Sequence, residues 1–149
     1  MIYYVIALIV FGLDWITKCL AVEHLIPHTP KSITPFFNYY LTFNRGVSFS
    51  MFTANNNIGV WFLISVTLII SSFVLYAFLK SNDKIEKSAF MLILGGALGN
   101  LWDRLRYGAV IDFLDFHLNN YHWPAFNIAD SAICVGVILL LWHTLRRKK

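Results

Sequence analysis

The chain has 149 residues; 58% are hydrophobic, only 13% are charged, the formal net charge is +4 and the mean hydropathy is +0.61. A water-soluble domain carries about 25% charged residues, so the composition excludes an ordinary soluble globule and points to lipid as the main solvent. The positive balance does not indicate nucleic acid. Lys80, Lys84 and Lys87 gather in one connection, and Arg146, Arg147, Lys148 and Lys149 gather at the end. Basic clusters beside apolar runs mark the cytoplasmic flanks of membrane spans.

A span needs about 20 mostly apolar residues. Four stretches meet that length: 2–22, 58–79, 88–105 and 127–145. The expected fold is a mostly α membrane protein with four transmembrane helices, a single integral unit over 1–149. Seven basic residues put both termini and the 80–87 connection inside; Lys31, Arg45 and Arg106 oppose this and are outnumbered. Segments 23–57 and 106–126 are then external.

The first span has no basic n-region or small-residue cleavage site, and it carries Asp14 and Lys18, so it is expected to be retained rather than cleaved. Asp14 and Lys18 stand four apart and form either an i,i+4 pair or part of a working site. Cys19 and Cys134 fall within spans and read as small buried apolar residues, not a disulfide pair. Next comes 35–52, PFFNYYLTFNRGVSFSMF. Phe37, Tyr39, Leu41 and Phe43 alternate with Asn38, Tyr40, Thr42 and Asn44, a period of two that predicts a small external β element. Its aromatics suit the headgroup layer, as does Arg45. Asn44, on the polar face beside Gly46, is placed to fix an extended peptide.

The second span holds no charge and reads as scaffold. The third carries GGALGN at 95–100, small residues that let helices approach closely, and then Asp103 and Arg104, either caps facing headgroups or site residues. In 106–126, Asp115 reads as solvated. His117 and His122 could join Asp112 in a metal site, but no compact ligand motif is present, and neither a metal nor another cofactor is expected. The fourth span opens with NIAD, which puts Asp130 near the outer mouth.

At 1.5 Å per residue, Asp14 lies about 20 Å along its helix, at the level of Asp103, Arg104, Asp112 and Asp130. Of these, Asp112 (VIDF) and Asp130 (IADS) are embedded in apolar sequence with no basic residue within a helical turn. If they face each other, two carboxylates must share a proton, which is the chemistry of aspartic peptidases. Ser48, Ser50 and Ser131 lack a G-x-S-x-G elbow, and there is no P-loop or H-E-x-x-H.

Five motifs in order, LDWITK (13–18), NRGVSFS (44–50), GGALGNLWDRL (95–105), GAVIDF (108–113) and FNIADSAI (126–133), give the chain a resemblance to the bacterial prolipoprotein signal peptidases, the type II signal peptidases. The resemblance implies an aspartic endopeptidase of the bacterial inner membrane that needs no metal. It implies cleavage of lipid-modified prolipoproteins before the diacylglyceryl cysteine. It also implies Asp112 and Asp130 as the catalytic pair, Asn44, Asn100, Asp103, Arg104 and Asn127 as supporting residues, and Asp14–Lys18 as a structural pair. An external β-cradle after the first span and an external loop or helix between the last two are implied as well. Trp15 and Ser50 depart from the family's usual Gln and Gly. The partners expected are the lipid-modified substrate and membrane lipids, with no nucleic acid, and the protein is read as a monomer. A proton-coupled exporter and a non-catalytic lipid-binding subunit are the rival readings; the long external segments argue against the exporter.

Overall fold

The structure, a computed structural model, describes residues 2–46 and 57–147. Residues 47–52 of the expected β element, with Ser48 and Ser50, lie outside the described residues. The order is α1 (Ile2–His24), β1 (Lys31–Thr34), β2 (Phe37–Asn44), α2 (Asn57–Lys80), α3 (Lys84–Tyr107), β3 (Val110–Leu118), β4 (Tyr121–His122) and α4 (Ile128–Arg147).

Among the described residues, three helices are long and apolar enough to cross a membrane: Ile2–His24, Ile58–Lys80 and Ile128–Arg147. The remaining helix, α3, has the length but not the hydropathy. The reason is positional: α3 packs against α1, α2 and α4 and turns Asn100 and Asp103 inward, where both are buried. A helix that faces protein on most sides is free to carry polar residues that a lipid-facing helix is not. Its ends are well defined. Asp83 is the N-cap, its Oδ1 accepting from the Ile85 and Glu86 N–H groups at 2.8 and 3.1 Å. Gly108 closes the other end in the left-handed region, φ 66°, and sends the chain straight into β3.

Helix α1 buries one stripe, Ala7, Val10, Asp14, Lys18 and Ala21, at spacings of three and four. Near the chain's basic connection, Ala7, Phe78 and Met91 join α1, α2 and α3 in an apolar cluster. At the other end, Ala21, Leu41, Ile111 and Phe113 seat the sheet on α1 and α4 through Leu25 and Ile128. The polar residues lie between these two clusters.

The connection after α3 is not the expected loop or helix. It contributes strands β3 and β4, completing an antiparallel sheet of order β1-β2-β3-β4. Strand β2 departs from strict alternation: its buried positions are Asn38 and Leu41, three apart. A register shift between Tyr39 and Thr42 inserts the extra residue. That bulge re-phases the strand so that Thr42 pairs with Asp112 and Asn44 follows two positions later. Cys19 and Cys134 are free and exposed, not buried as expected. Many of this chain's large apolar residues face outward while Asp14, Lys18, Asn100 and Asp103 are buried, so a span position does not imply burial.

Close approach of α3 to its neighbours rests on the small residues of GGALGN. A Cβ on Gly96 would stand 2.4 Å from the Ala129 carbonyl oxygen and 2.8 Å from Ile133 Cγ1, whereas one on Gly12 would meet nothing within 4 Å. Gly96→Ala is therefore expected to destabilise by about 1–3 kcal/mol through overpacking of α3 on α4. Gly12→Ala should be neutral or slightly stabilising. Thermal unfolding of the two purified variants in one detergent checks this; equal melting temperatures would show that α3 and α4 give way freely.

Candidate active site

The site begins with Lys18, which is 2% exposed. Its ammonium reaches Asp14 Oδ2 at 2.7 Å, Asp103 Oδ2 at 2.7 Å and Asn100 Oδ1 at 3.0 Å. An ammonium has three donors, and all three are used. The two acids carry the contact onward. Asp14 Oδ1 accepts from the Ala129 N–H at 2.8 Å, and Asp103 Oδ2 accepts from the Ile111 N–H at 3.1 Å. One buried cation thus ties α1 to α3, to the start of α4 and to β3.

Asn100 passes this orientation to the carboxylates. Its Oδ1 faces the Lys18 ammonium, so its Nδ2 must point the other way, where it donates to Asp130 Oδ1 at 2.7 Å. Asn127, fully buried, is the second link. Its Nδ2 lies 2.8 Å from Asp112 Oδ1, 3.1 Å from Asn100 Oδ1 and 3.2 Å from the Ile111 carbonyl, sharing two hydrogens among three acceptors. Asn127 is also the N-cap of α4. Its Oδ1 accepts from the Asp130 N–H at 2.9 Å, and its own N–H donates to Asp130 Oδ2 at 3.3 Å. This is a reciprocal capping box with a shorter acid in the usual Glu position. Finally Asn44, at the end of β2, donates from Nδ2 to Asp112 Oδ2 at 3.0 Å and accepts from the Gly46 N–H at 3.1 Å.

Each of the four oxygens of Asp112 and Asp130 therefore receives one N–H: three from asparagine side chains and one from the backbone. Asp112 is 2% exposed. Burial first, and the neighbouring Asp130 charge second, push its carboxyl up to about 7, against the opposing bonds from Asn44 and Asn127. Arg104 donates to the Asn100 carbonyl at 3.3 Å, and its charge lies within reach of Asp130, Asp112 and Asp103.

The arrangement has close relatives. The family model described as signal peptidase (SPase) II matches residues 6–146. The chain belongs to the signal peptidase II family. The lipoprotein signal peptidase of Polynucleobacter necessarius subsp. necessarius (strain STIR1) is 47% identical over 146 residues, covering 97% of this chain and 90% of that one. That of Francisella tularensis subsp. novicida (strain U112) is 44% identical over 152 residues, covering 99% and 93%. Among solved structures, a bacterial membrane enzyme determined in meso at 2.3 Å superposes with a TM-score of 0.88 at 30% identity, covering 99% of this chain and 89% of that one. A second, at 1.9 Å, gives 0.85 at 31% identity, covering 96% and 92%.

Within this signal peptidase II chain, Asp14, Lys18, Asn44, Asn100, Asp103, Arg104, Asp112, Asn127 and Asp130 form one connected neighbourhood. Asp103 is not a cap facing headgroups; it is 3% exposed and bound to Lys18. Asp115 is not solvated. It is 4% exposed, accepts from Asn38 Nδ2 at 2.9 Å and meets His122 Nδ1 at 2.9 Å. His117 and His122 are partners across the β3–β4 pair and stack at 4.9 Å between centroids; His122 turns to Asp115, not to Asp112. Arg45 is exposed. The capping box was missed at sequence level although its signal is plain: Asn127-x-x-Asp130 directly before an apolar run.

Removing the ammonium would leave Asp14 and Asp103 facing each other without compensation. Lys18→Met is expected to cost about 3–5 kcal/mol, the penalty for breaking a buried pair from one side. Lys18→Met combined with Asp103→Asn should recover part of it. Denaturation of the single and double variants in detergent measures both; a double variant less stable than the single would count against Lys18 acting through charge.

Proposed function

We propose that Asp112 and Asp130 are the catalytic pair of a membrane-embedded aspartic endopeptidase. The reaction is removal of the signal peptide from prolipoproteins, as family membership indicates, and we place the cut before the diacylglyceryl-modified cysteine. The observation that carries the proposal is the joining of two carboxylates, from a strand and a helix start, through the single buried residue Asn127.

The two acids are differently housed, and that difference supports distinct roles for them. Asp112, with a carboxyl near 7, carries the proton in the resting enzyme. Asp130 sits on the first turn of α4, at the positive end of the helix dipole, which favours negative charge. A water between them loses a proton to Asp130 as its oxygen attacks the scissile carbonyl carbon, while Asp112 protonates the carbonyl oxygen. Collapse of the resulting diol then breaks the C–N bond. Asp130 returns its proton to the leaving nitrogen and Asp112 recovers one from the hydroxyl. Asn44 lies beside Asp112 at the sheet edge, suited to hold the substrate backbone as an added strand. Arg104 offers a planar, permanently charged donor set to a substrate carbonyl or ester.

Placement in the membrane follows the same logic. Counting α3, whose 24 residues extend about 36 Å at 1.5 Å per residue, gives four spans and one domain over 1–149. Arg146 and Arg147 at the end of α4, and Lys80, Lys84 and Lys87 at the facing ends of α2 and α3, support both termini in the cytoplasm. The sheet and the acids then lie at the outer face of the bacterial inner membrane. There the signal helix and acyl chains of a precursor would hold its scissile bond. A monomer contains every residue the scheme uses.

Asp112→Asn and Asp130→Asn are each expected to lower cleavage of a fluorescent lipopeptide by about 10²–10⁴-fold, the worth of a lost general acid or base, without loss of fold. Normal turnover by either would end the dyad. The pH dependence has a definite sign. Asp112 must be protonated to act, so kcat/KM should hold below about 7 and fall as pH rises through it. Asn44 donates to Asp112 and favours its ionised form, so Asn44→Ala should move that decline to higher pH and raise KM. An unmoved profile with unchanged KM would remove Asn44 from the site.

A further inference from the structure

On the side of α3 away from the acids, the molecule has a long groove with no function in the scheme above. Ala7 lines it, and next to it α1 meets α3 closely: a Cβ on Gly95 would stand 2.8 Å from the Ala7 carbonyl oxygen. Because that contact is made without side chains, the larger residues on either side stand up as walls. Leu8 and Phe11 of α1 face Leu94, Leu98 and Leu105 of α3 across a cavity of about 470 Å³. At 100° per residue, Leu98 and Trp102 stand about 160° around the helix from Asn100. From Met91 to Leu105 the groove runs about 21 Å at 1.5 Å per residue, enough for an acyl chain in one leaflet of a ~30 Å hydrocarbon core.

Trp102 lines this groove and also a second cavity of about 180 Å³ at its outer end. The chemistry changes there. Trp15 and Trp102 are about half exposed, as at a headgroup boundary. Arg106 in the last turn of α3 and Glu23 near the end of α1 line the same cavity. Arg106 stacks on Tyr107 at 5.1 Å. Neither Arg106 nor Glu23 enters an ion pair among the described residues, so one cation and one anion stand open at the head of one apolar slot.

We propose that this slot binds one zwitterionic phospholipid bearing a primary-amine headgroup: an acyl chain in the α1–α3 groove, the phosphate on Arg106 and the ammonium on Glu23. An anionic headgroup would meet Glu23 with the wrong sign. A quaternary ammonium would lack the hydrogen-bond donors that a carboxylate accepts from. The lipid covers the rear of the Lys18–Asp103 pair, since both residues line the head cavity. This lipid is separate from the substrate, and the acids play no part in holding it.

Native mass spectrometry of the delipidated full chain tests this, with phosphatidylethanolamine, phosphatidylcholine and phosphatidylglycerol of identical oleoyl chains as probes. One adduct is expected, with the ethanolamine lipid preferred about two- to fivefold, the worth of one exposed ion pair. Arg106→Ala should weaken all three adducts about tenfold, the loss of a hydrogen bond to a charged group. Leu98→Trp, which fills the groove, should abolish them. Glu23→Gln should erase the preference and keep the adduct; as an exposed, near-isosteric change it keeps the test decisive if the other variants fail to fold. Equal binding of the three lipids to the unaltered chain would overturn the proposal. So would full adducts in Arg106→Ala and Leu98→Trp, or a dimer in place of the lipid adduct. Lipopeptide cleavage by the same samples reports separately on the peptidase: its absence in the unaltered chain would defeat that reading and leave the lipid result standing.

Discussion

The buried ammonium of Lys18 is the constraint on which the site depends. A charge taken out of water costs several kcal/mol even after relaxation, and the cost is offset only when every donor has a partner. Lys18 meets that condition in one arrangement, with Asp14, Asp103 and Asn100 at 2.7, 2.7 and 3.0 Å. Those partners come from α1 and α3, and the two carboxylates also accept from the backbone of α4 and β3. A shift of any of these elements by an ångström would strand a buried charge. The apolar clusters above and below supply cohesion but no such uniqueness, because lipid is as apolar as they are.

Space for this layer comes from small residues. A Cβ on Gly99 would stand 2.5 Å from Asp14 Oδ2, inside the ion pair itself. Gly95 meets Ala7, Gly96 meets Ala129 and Gly136 meets Ala89, all through backbone. The helices therefore approach closely from the apolar end up to Gly99, and at the level of the charges side chains as short as Asp and Asn can bridge them. Longer side chains at the glycines would force the helices apart and bring water or lipid to the acids.

Much of this was legible in the sequence because charge is rare in an apolar chain. Eight acids in 149 residues make Asp14, Asp103, Asp112 and Asp130 conspicuous, and helical rise together with the basic clusters brings Asp14 to the outer level of the others. What stayed hidden depends on sequence-distant pairing. Asp115 looks like any polar loop residue until β2 lays Asn38 beside it. The alternation of β2 gives no sign of the bulge that brings Asn44 to Asp112. Cys19 and Cys134 mislead for a different reason: in lipid the usual equation of apolar with buried reverses, and a small thiol is as comfortable outside. The low hydropathy of α3 records its central position, which a per-segment reading cannot see.

Uncharged side chains, rather than ions, hold the two acids, and this fits their task. A carboxylate in direct contact with lysine is committed to that ion pair, as Asp14 and Asp103 are to Lys18. In the proposed mechanism Asp112 and Asp130 exchange a proton during each turnover, so firm salt bridges would oppose it. Asn44, Asn100 and Asn127 fix the positions of the oxygens while contributing no net charge of their own. The strong field of Lys18 is kept one residue back. The hydrogen-bond link from Lys18 to Asp130 runs through the Asn100 amide, whose oxygen faces the cation and whose nitrogen faces the acid. The ion layer thus provides rigidity and the amide layer provides aim, and the charge state of the pair is left free to change.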